Sequence, residues 1–67
     1  MKTDEMTKVF EGYTPTRKHC EFYLSKNGAL YIKYTLSGVL RKFNDEQYYE
    51  DSDIWHMLTM AGYSAQY

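Results

Sequence analysis

The sequence predicts an α+β fold: a small three-stranded antiparallel β-meander packed on one face by a C-terminal helix and a short N-terminal helix. Three observations carry that expectation. Residues 20–34, CEFYLSKNGALYIKY, alternate apolar and polar positions on both sides of an Asn27-Gly28 turn. A second turn signal, Ser37-Gly38, leads into a third strand, Val39–Phe43. The spacing then becomes helical, with Ile54, Met57, Leu58 and Ala61 on one stripe ahead of Gly62. Sixty-seven residues fill one core and not two, so 1–67 reads as a single domain.

Taken in order, the N-terminal segment places Met6, Val9, Phe10 and Tyr13 at helical spacing behind a capping Thr3, with Asp4 and Glu5 in the first turn and Gly12 and Pro15 as stops. A strand over Lys8–Tyr13 is the alternative, because Val, Phe and Tyr also favour strands. For the first hairpin two registers compete. A two-residue loop at Asn27-Gly28 splits the apolar residues between both faces. A three-residue loop, Lys26-Asn27-Gly28, with Gly28 left-handed, pairs Ser25 with Ala29 and gathers Cys20, Phe22, Leu24, Leu30, Ile32 and Tyr34 on one face. It also sets Tyr23 opposite Tyr31, Glu21 opposite Lys33 and His19 opposite Thr35. The aromatic and the charged pair are each worth about 0.2–1 kcal/mol. The three-residue loop is therefore the expected one.

The second turn, read as a two-residue loop at Ser37-Gly38, puts Val39 and Phe43 on the core face and Leu40 and Lys42 outside. It opposes Lys33 and Lys42, which is unfavourable without an anion between them. Asp51 or Ser52 is the expected cap of the last helix, with Asp53 in its first turn. The tail YSAQY carries no pattern.

Composition narrows the function classes. The chain is 43% hydrophobic and 18% aromatic, which is globular, and it holds eight tyrosines, suited to sheet faces and interfaces. Cys20 is the single cysteine, so an internal disulfide scaffold is excluded. Acidic residues interrupt the N-terminal stretch where a signal peptide needs an apolar core, and no apolar run reaches membrane-spanning length. The cytoplasm is the expected compartment. Charge is segregated: residues 1–43 hold eight basic and four acidic residues, a net of +4, while residues 44–67 hold five acids and no Lys or Arg, a net of −5. Such a bipolar field steers encounters.

No motif points to catalysis, a cofactor or a metal. His19 and Cys20 are adjacent and, on a strand, point to opposite faces, so they cannot converge on one ion. Cys20 falls on the core face, where a thiol is inert, and no phosphate loop or nucleophile elbow occurs. The acids at 45–53 suit a solvated loop better than an acid–base pair in so small a fold. The expected function is binding. Tyr48, Tyr49, Asp51, Asp53 and Trp55 combine aromatic anchors with carboxylates that suit a basic protein surface. Packing over the sheet edge is the structural explanation for Trp55. The alternative is a single-stranded nucleic-acid module using Tyr23 and Tyr31 for stacking and Lys33 and Lys42 for phosphate. A cross-strand tyrosine pair covering the sheet accounts for the same residues.

In size, tyrosine richness and lack of a catalytic constellation the chain resembles the small accessory proteins of bacteriophages and other mobile elements. That resemblance implies an inhibitor or modulator of a host enzyme or defence complex, and it rests on composition alone, so it assigns no residue a role. A homodimer could also pair the open sheet edges or bury the open face.

Overall fold

The computed structural model describes residues 6–44 and 47–66. Its element order is β1 (Thr7–Tyr13), β2 (His19–Leu24), β3 (Leu30–Tyr34), β4 (Leu40–Lys42), α1 (Asp51–Met60) and β5 (Ser64–Ala65). The strands form one antiparallel sheet in the order β4-β3-β2-β1-β5. The α+β class holds, with five strands where the sequence predicts three.

The β2–β3 hairpin has the expected register: Tyr23 faces Tyr31, Glu21 faces Lys33 and Phe22 faces Ile32. Ser25 N–H donates to the Ala29 carbonyl at 2.9 Å, and Gly28 takes φ 93°, the left-handed conformation that a three-residue loop requires. The Ser25 hydroxyl donates to Asn27 Oδ1, and Ala29 N–H reaches Ser25 Oγ at 3.0 Å, which ties the loop to its own backbone.

The N-terminal helix is replaced by strand β1 over the described part of that segment; Thr3, Asp4 and Glu5 lie outside the described residues. The reason is a β-bulge between Lys8 and Phe10 where β1 pairs with β2. The extra residue breaks the two-residue period, so Phe10 is buried and Val9 also packs against the core. Two consecutive apolar residues with Met6 and Tyr13 three residues to either side imitate helical spacing.

The β3–β4 connection corrects the second turn. Tyr34, not Leu36, bonds Val39 (N–H to carbonyl, 3.0 Å), giving a four-residue loop closed by Gly38 at φ 74°. The register slips by two residues, so both faces keep their side chains while the pairs change. Lys33 now faces Leu40, and Lys42 faces Tyr31, which removes the opposition of two lysines.

The N-cap of α1 lies one residue before the expected Asp51 or Ser52. Glu50 holds the N-cap position without a side-chain cap bond, and Asp51 and Asp53 sit in the first turn, where they meet the positive helix end. Ile54 and Leu58 are buried, Met57 is half-buried and Ala61 is exposed. At the far end Gly62 takes φ 101°, Tyr63 N–H donates to the Leu58 carbonyl (3.0 Å) and Gly62 N–H to the Thr59 carbonyl (3.2 Å). This is a Schellman ending, which reverses the chain and brings Tyr63 back beneath Leu58.

The tail that shows no sequence pattern therefore completes the fold. Tyr63 packs edge-to-face on Phe22, with ring centroids 5.3 Å apart, and β5 then pairs with β1. Gly12 makes that pairing possible: a Cβ there would lie 1.9 Å from the Ser64 carbonyl oxygen. Gly12→Ala is expected to cost about 1–3 kcal/mol, as overpacking does, and to release β5. Amide exchange checks this: protection at Gln66 N–H, which donates to the Glu11 carbonyl, should be lost while that of α1 persists.

Candidate functional site

The helix covers one face of the sheet, so the strand alternation delivers a second face to solvent. The registers arrange that face in three rows. Lys8, Tyr23, Tyr31 and Lys42 form a line across β1, β2, β3 and β4. The next row runs Glu11, Glu21, Lys33 and Leu40, and the third brings Tyr13 beside His19. All four residues of the nucleic-acid alternative, Tyr23, Tyr31, Lys33 and Lys42, are thus placed together and half-buried. Tyr48 extends the first row, with its ring 6.0 Å from Lys42 Nζ.

Carboxylates occupy the middle of this face. Glu11 and Glu21 are directly opposed, an arrangement that needs nearby cations. Lys8 Nζ supplies one, 3.0 Å from Glu11 and 3.7 Å from Glu21; the bulge at Val9 is what puts Lys8 and Glu11 on the same face. His19 lies 3.4 Å from Glu11 through Nε2, which also donates to Gln66 Oε1 at 2.7 Å, while Nδ1 is hydrogen-bonded with the Thr35 hydroxyl at 2.6 Å. The Tyr13 ring stands edge-on to the imidazole at 5.2 Å. The Tyr23 hydroxyl donates to Glu21 at 2.7 Å. That bond, then Lys8, Lys33 and His19, hold the Glu21 carboxyl below the usual range against the opposing effect of burial. Burial first and the Glu21 bond second push the Tyr23 phenol up, so it stays a neutral donor. Lys8 and Glu11 are missing from the sequence-derived site because the segment that carries them is read there as a helix.

The acidic segment is only partly gathered. Tyr48 and Trp55 are 64% and 55% exposed, the open aromatic surface that a contact patch needs. Asp51 is exposed and one helical turn from Trp55, on the same flank. Asp53 lies about 160° away from Trp55 around the helix, beside Met60, which is 75% exposed. Tyr49 turns inward instead: it packs on the core, its N–H donates to the Gly28 carbonyl at 2.9 Å, and its hydroxyl donates to Gln47 Oε1 at 3.0 Å. Tyr49 is half-buried and fixes the chain beside Tyr48. Asp45 and Glu46, which the acidic tract also includes, lie outside the described residues.

His19 and Cys20 occupy opposite faces, one in the open-face network and the other fully buried. Burial pushes the Cys20 thiol up to about 11, which leaves it protonated and unreactive at neutral pH. Among the described residues no helix is long and apolar enough to cross a membrane. Comparison of the chain with protein-family models, with curated proteins and with solved structures finds no match.

The Tyr23–Glu21 bond makes stability depend on pH in a definite sense. Because the folded Glu21 carboxyl is depressed, its contribution is present above the ordinary carboxylate pKa and is lost as pH falls through the folded value. Tyr23→Phe is expected to destabilise the protein by about 1 kcal/mol at neutral pH, with the deficit shrinking in acid. Denaturant titrations of both proteins at the two pH values check this; a deficit that is the same at both would mean that Glu21 is not the partner.

Proposed function

We propose that the chain is a non-enzymatic interaction module that binds a protein partner, as an inhibitor or modulator, through Tyr48, Asp51 and Trp55. The observation that carries the reading is the exposure of Tyr48 and Trp55 beside an acidic helix start. Both rings could have been spent on the core, which is instead closed by Phe10, Phe22, Phe43 and Tyr63. Exposed Trp and Tyr are the side chains that most often dominate binding energy when a partner desolvates them. The surrounding carboxylates favour a basic partner surface and disfavour nucleic acid at this end. A chain of this size acts most economically by occluding a larger protein's site, which fits the modulator role.

If Trp55 is an anchor, Trp55→Ala weakens capture of the partner by about 2 kcal/mol or more, roughly thirtyfold, and leaves the melting temperature nearly unchanged. Tyr49→Ala, by contrast, should lower stability, since that ring supports the core. Affinity capture from host lysate after nuclease treatment, followed by titration of the recovered protein, provides the measurement. Equal capture by wild type and Trp55→Ala would remove this patch.

A second reading is favoured by the Lys8–Tyr23–Tyr31–Lys42 row: single-stranded nucleic acid laid across the open face, with bases on the tyrosines and phosphates at Lys33 and Lys42. Glu11 and Glu21 at the centre of that face oppose it, which is why it ranks second. It requires affinity that falls steeply with salt and a loss of about 1–3 kcal/mol in Tyr31→Ala. Mobility shifts with ssDNA and ssRNA at low salt are the check, and no shift there eliminates it.

A further inference from the structure

A third surface lies at the other end of the sheet. The β1–β2 turn (residues 14–18) and the β3–β4 turn (residues 35–38) border a groove of about 690 Å³, within the size range of sites that seat large side chains. Its apolar lining includes Pro15, Tyr34, Leu36, Val39 and Tyr63, and its charged lining is Lys18 and Arg41. Among the described residues no carboxylate lines it. Neither Lys18 nor Arg41 has an ion-pair partner among the described residues, whereas His19, which also lines the groove, lies against Glu11. Leu36 is 95% and Val39 48% exposed at its lip.

The chain also owns a surface of the opposite character at its opposite end. Tyr49 N–H bonds the Gly28 carbonyl in the β2–β3 loop, which fixes Tyr48, Glu50 and Asp51 at that end of the sheet. Helix α1 then runs toward the groove end, where Gly62 lies beside Pro15. One end therefore offers two exposed aromatic rings with Glu50 and Asp51, alongside Lys26 and Lys42, and the other an apolar groove whose Lys18 and Arg41 have no ion pair among the described residues.

We infer that the groove accepts the Tyr48–Asp51 end of a second copy of this chain, so that the protein associates head to tail. The inference rests on the reading of Tyr48 and Asp51 as contact residues. Tyr48 enters between Val39 and Tyr34, and Glu50 and Asp51 meet Lys18 and Arg41. A small free anion would pair the cations but leave Leu36 and Val39 in water; the aromatic, acidic end satisfies both. The contact is heterologous, so it does not close at two copies, and mass grows with concentration. Self-association covers the residues proposed to bind a partner. Partner binding is then strongest in dilute solution and weakens as the chain accumulates.

Sedimentation velocity of the whole chain over a concentration series tests this. At low salt the weight-average mass should rise above that of the monomer, and at high salt it should return to it. Two charge-reversal variants, Lys18→Glu with Arg41→Glu and Glu50→Lys with Asp51→Lys, should each weaken association at least about tenfold. An equimolar mixture of the two should regain it, because the reversed groove of one fits the reversed end of the other. Circular dichroism confirms that both remain folded; should the groove double variant unfold, Lys18→Glu alone replaces it. A wild type monomeric at every concentration in low salt overturns the inference, and so does a mixture that stays monomeric. The groove variant also separates this inference from the partner-binding proposal: it should capture a partner at least as well as wild type while failing to self-associate.

Discussion

The fold depends on the surroundings of one ring, Phe22 on the central strand. Phe10 from β1, Phe43 from the segment after β4 and Tyr63 from the segment after α1 each meet it edge-to-face, at 5.8, 5.3 and 5.3 Å. Each such pair is worth about 0.5–1.5 kcal/mol beyond the area it buries. Because the three partners come from either flank of β2 and from the chain's end, Phe22 couples elements that are far apart in sequence. A chain this short has little apolar area to spare, and concentrating it around one ring gives the core a closed wall. The same economy explains why only one face of the sheet is covered.

How much of this is legible in the sequence varies with the kind of constraint. The β2–β3 hairpin is legible because three signals agree: the alternation, the glycine and the cross-strand pairs. The β3–β4 register is half legible. Faces follow from alternation, but a slip of two residues preserves every face, so only the pairing energies distinguish the options. In β1 the bulge at Val9 defeats periodicity, and in β5 two residues are too few to have a period. Tyr63 is hidden differently: its role depends on the Schellman turn at Gly62, and the sequence marks the turn but not where the chain goes afterwards. The candidate surfaces follow the same rule. Tyr23, Tyr31, Lys33 and Lys42 are found because they lie on legible strands. Lys8 and Glu11 are lost with β1, and the inward packing of Tyr49 is not legible because its backbone bond to Gly28 has no sequence signature.

These placements also decide which surface is free to act. The open sheet face looks chemically rich, yet most of its charged groups already serve one another: Lys8 balances Glu11 and Glu21, His19 spans Thr35 and Gln66, and Tyr23 is committed to Glu21. A ligand arriving there must break bonds before it makes any, and those bonds also relieve the opposition of two glutamates on neighbouring strands. The two ends of the molecule carry no such debt. Tyr48, Trp55, Leu36 and Val39 are exposed apolar groups, and Lys18 and Arg41 are cations without ion pairs among the described residues. Binding energy comes from groups whose needs are unmet in the free protein. By that measure the ends carry more unmet groups than the face does. The charge segregation along the sequence is only partly kept in space: Lys18 and Arg41 line the groove end, while Lys26 shares the helix-start end with Asp51.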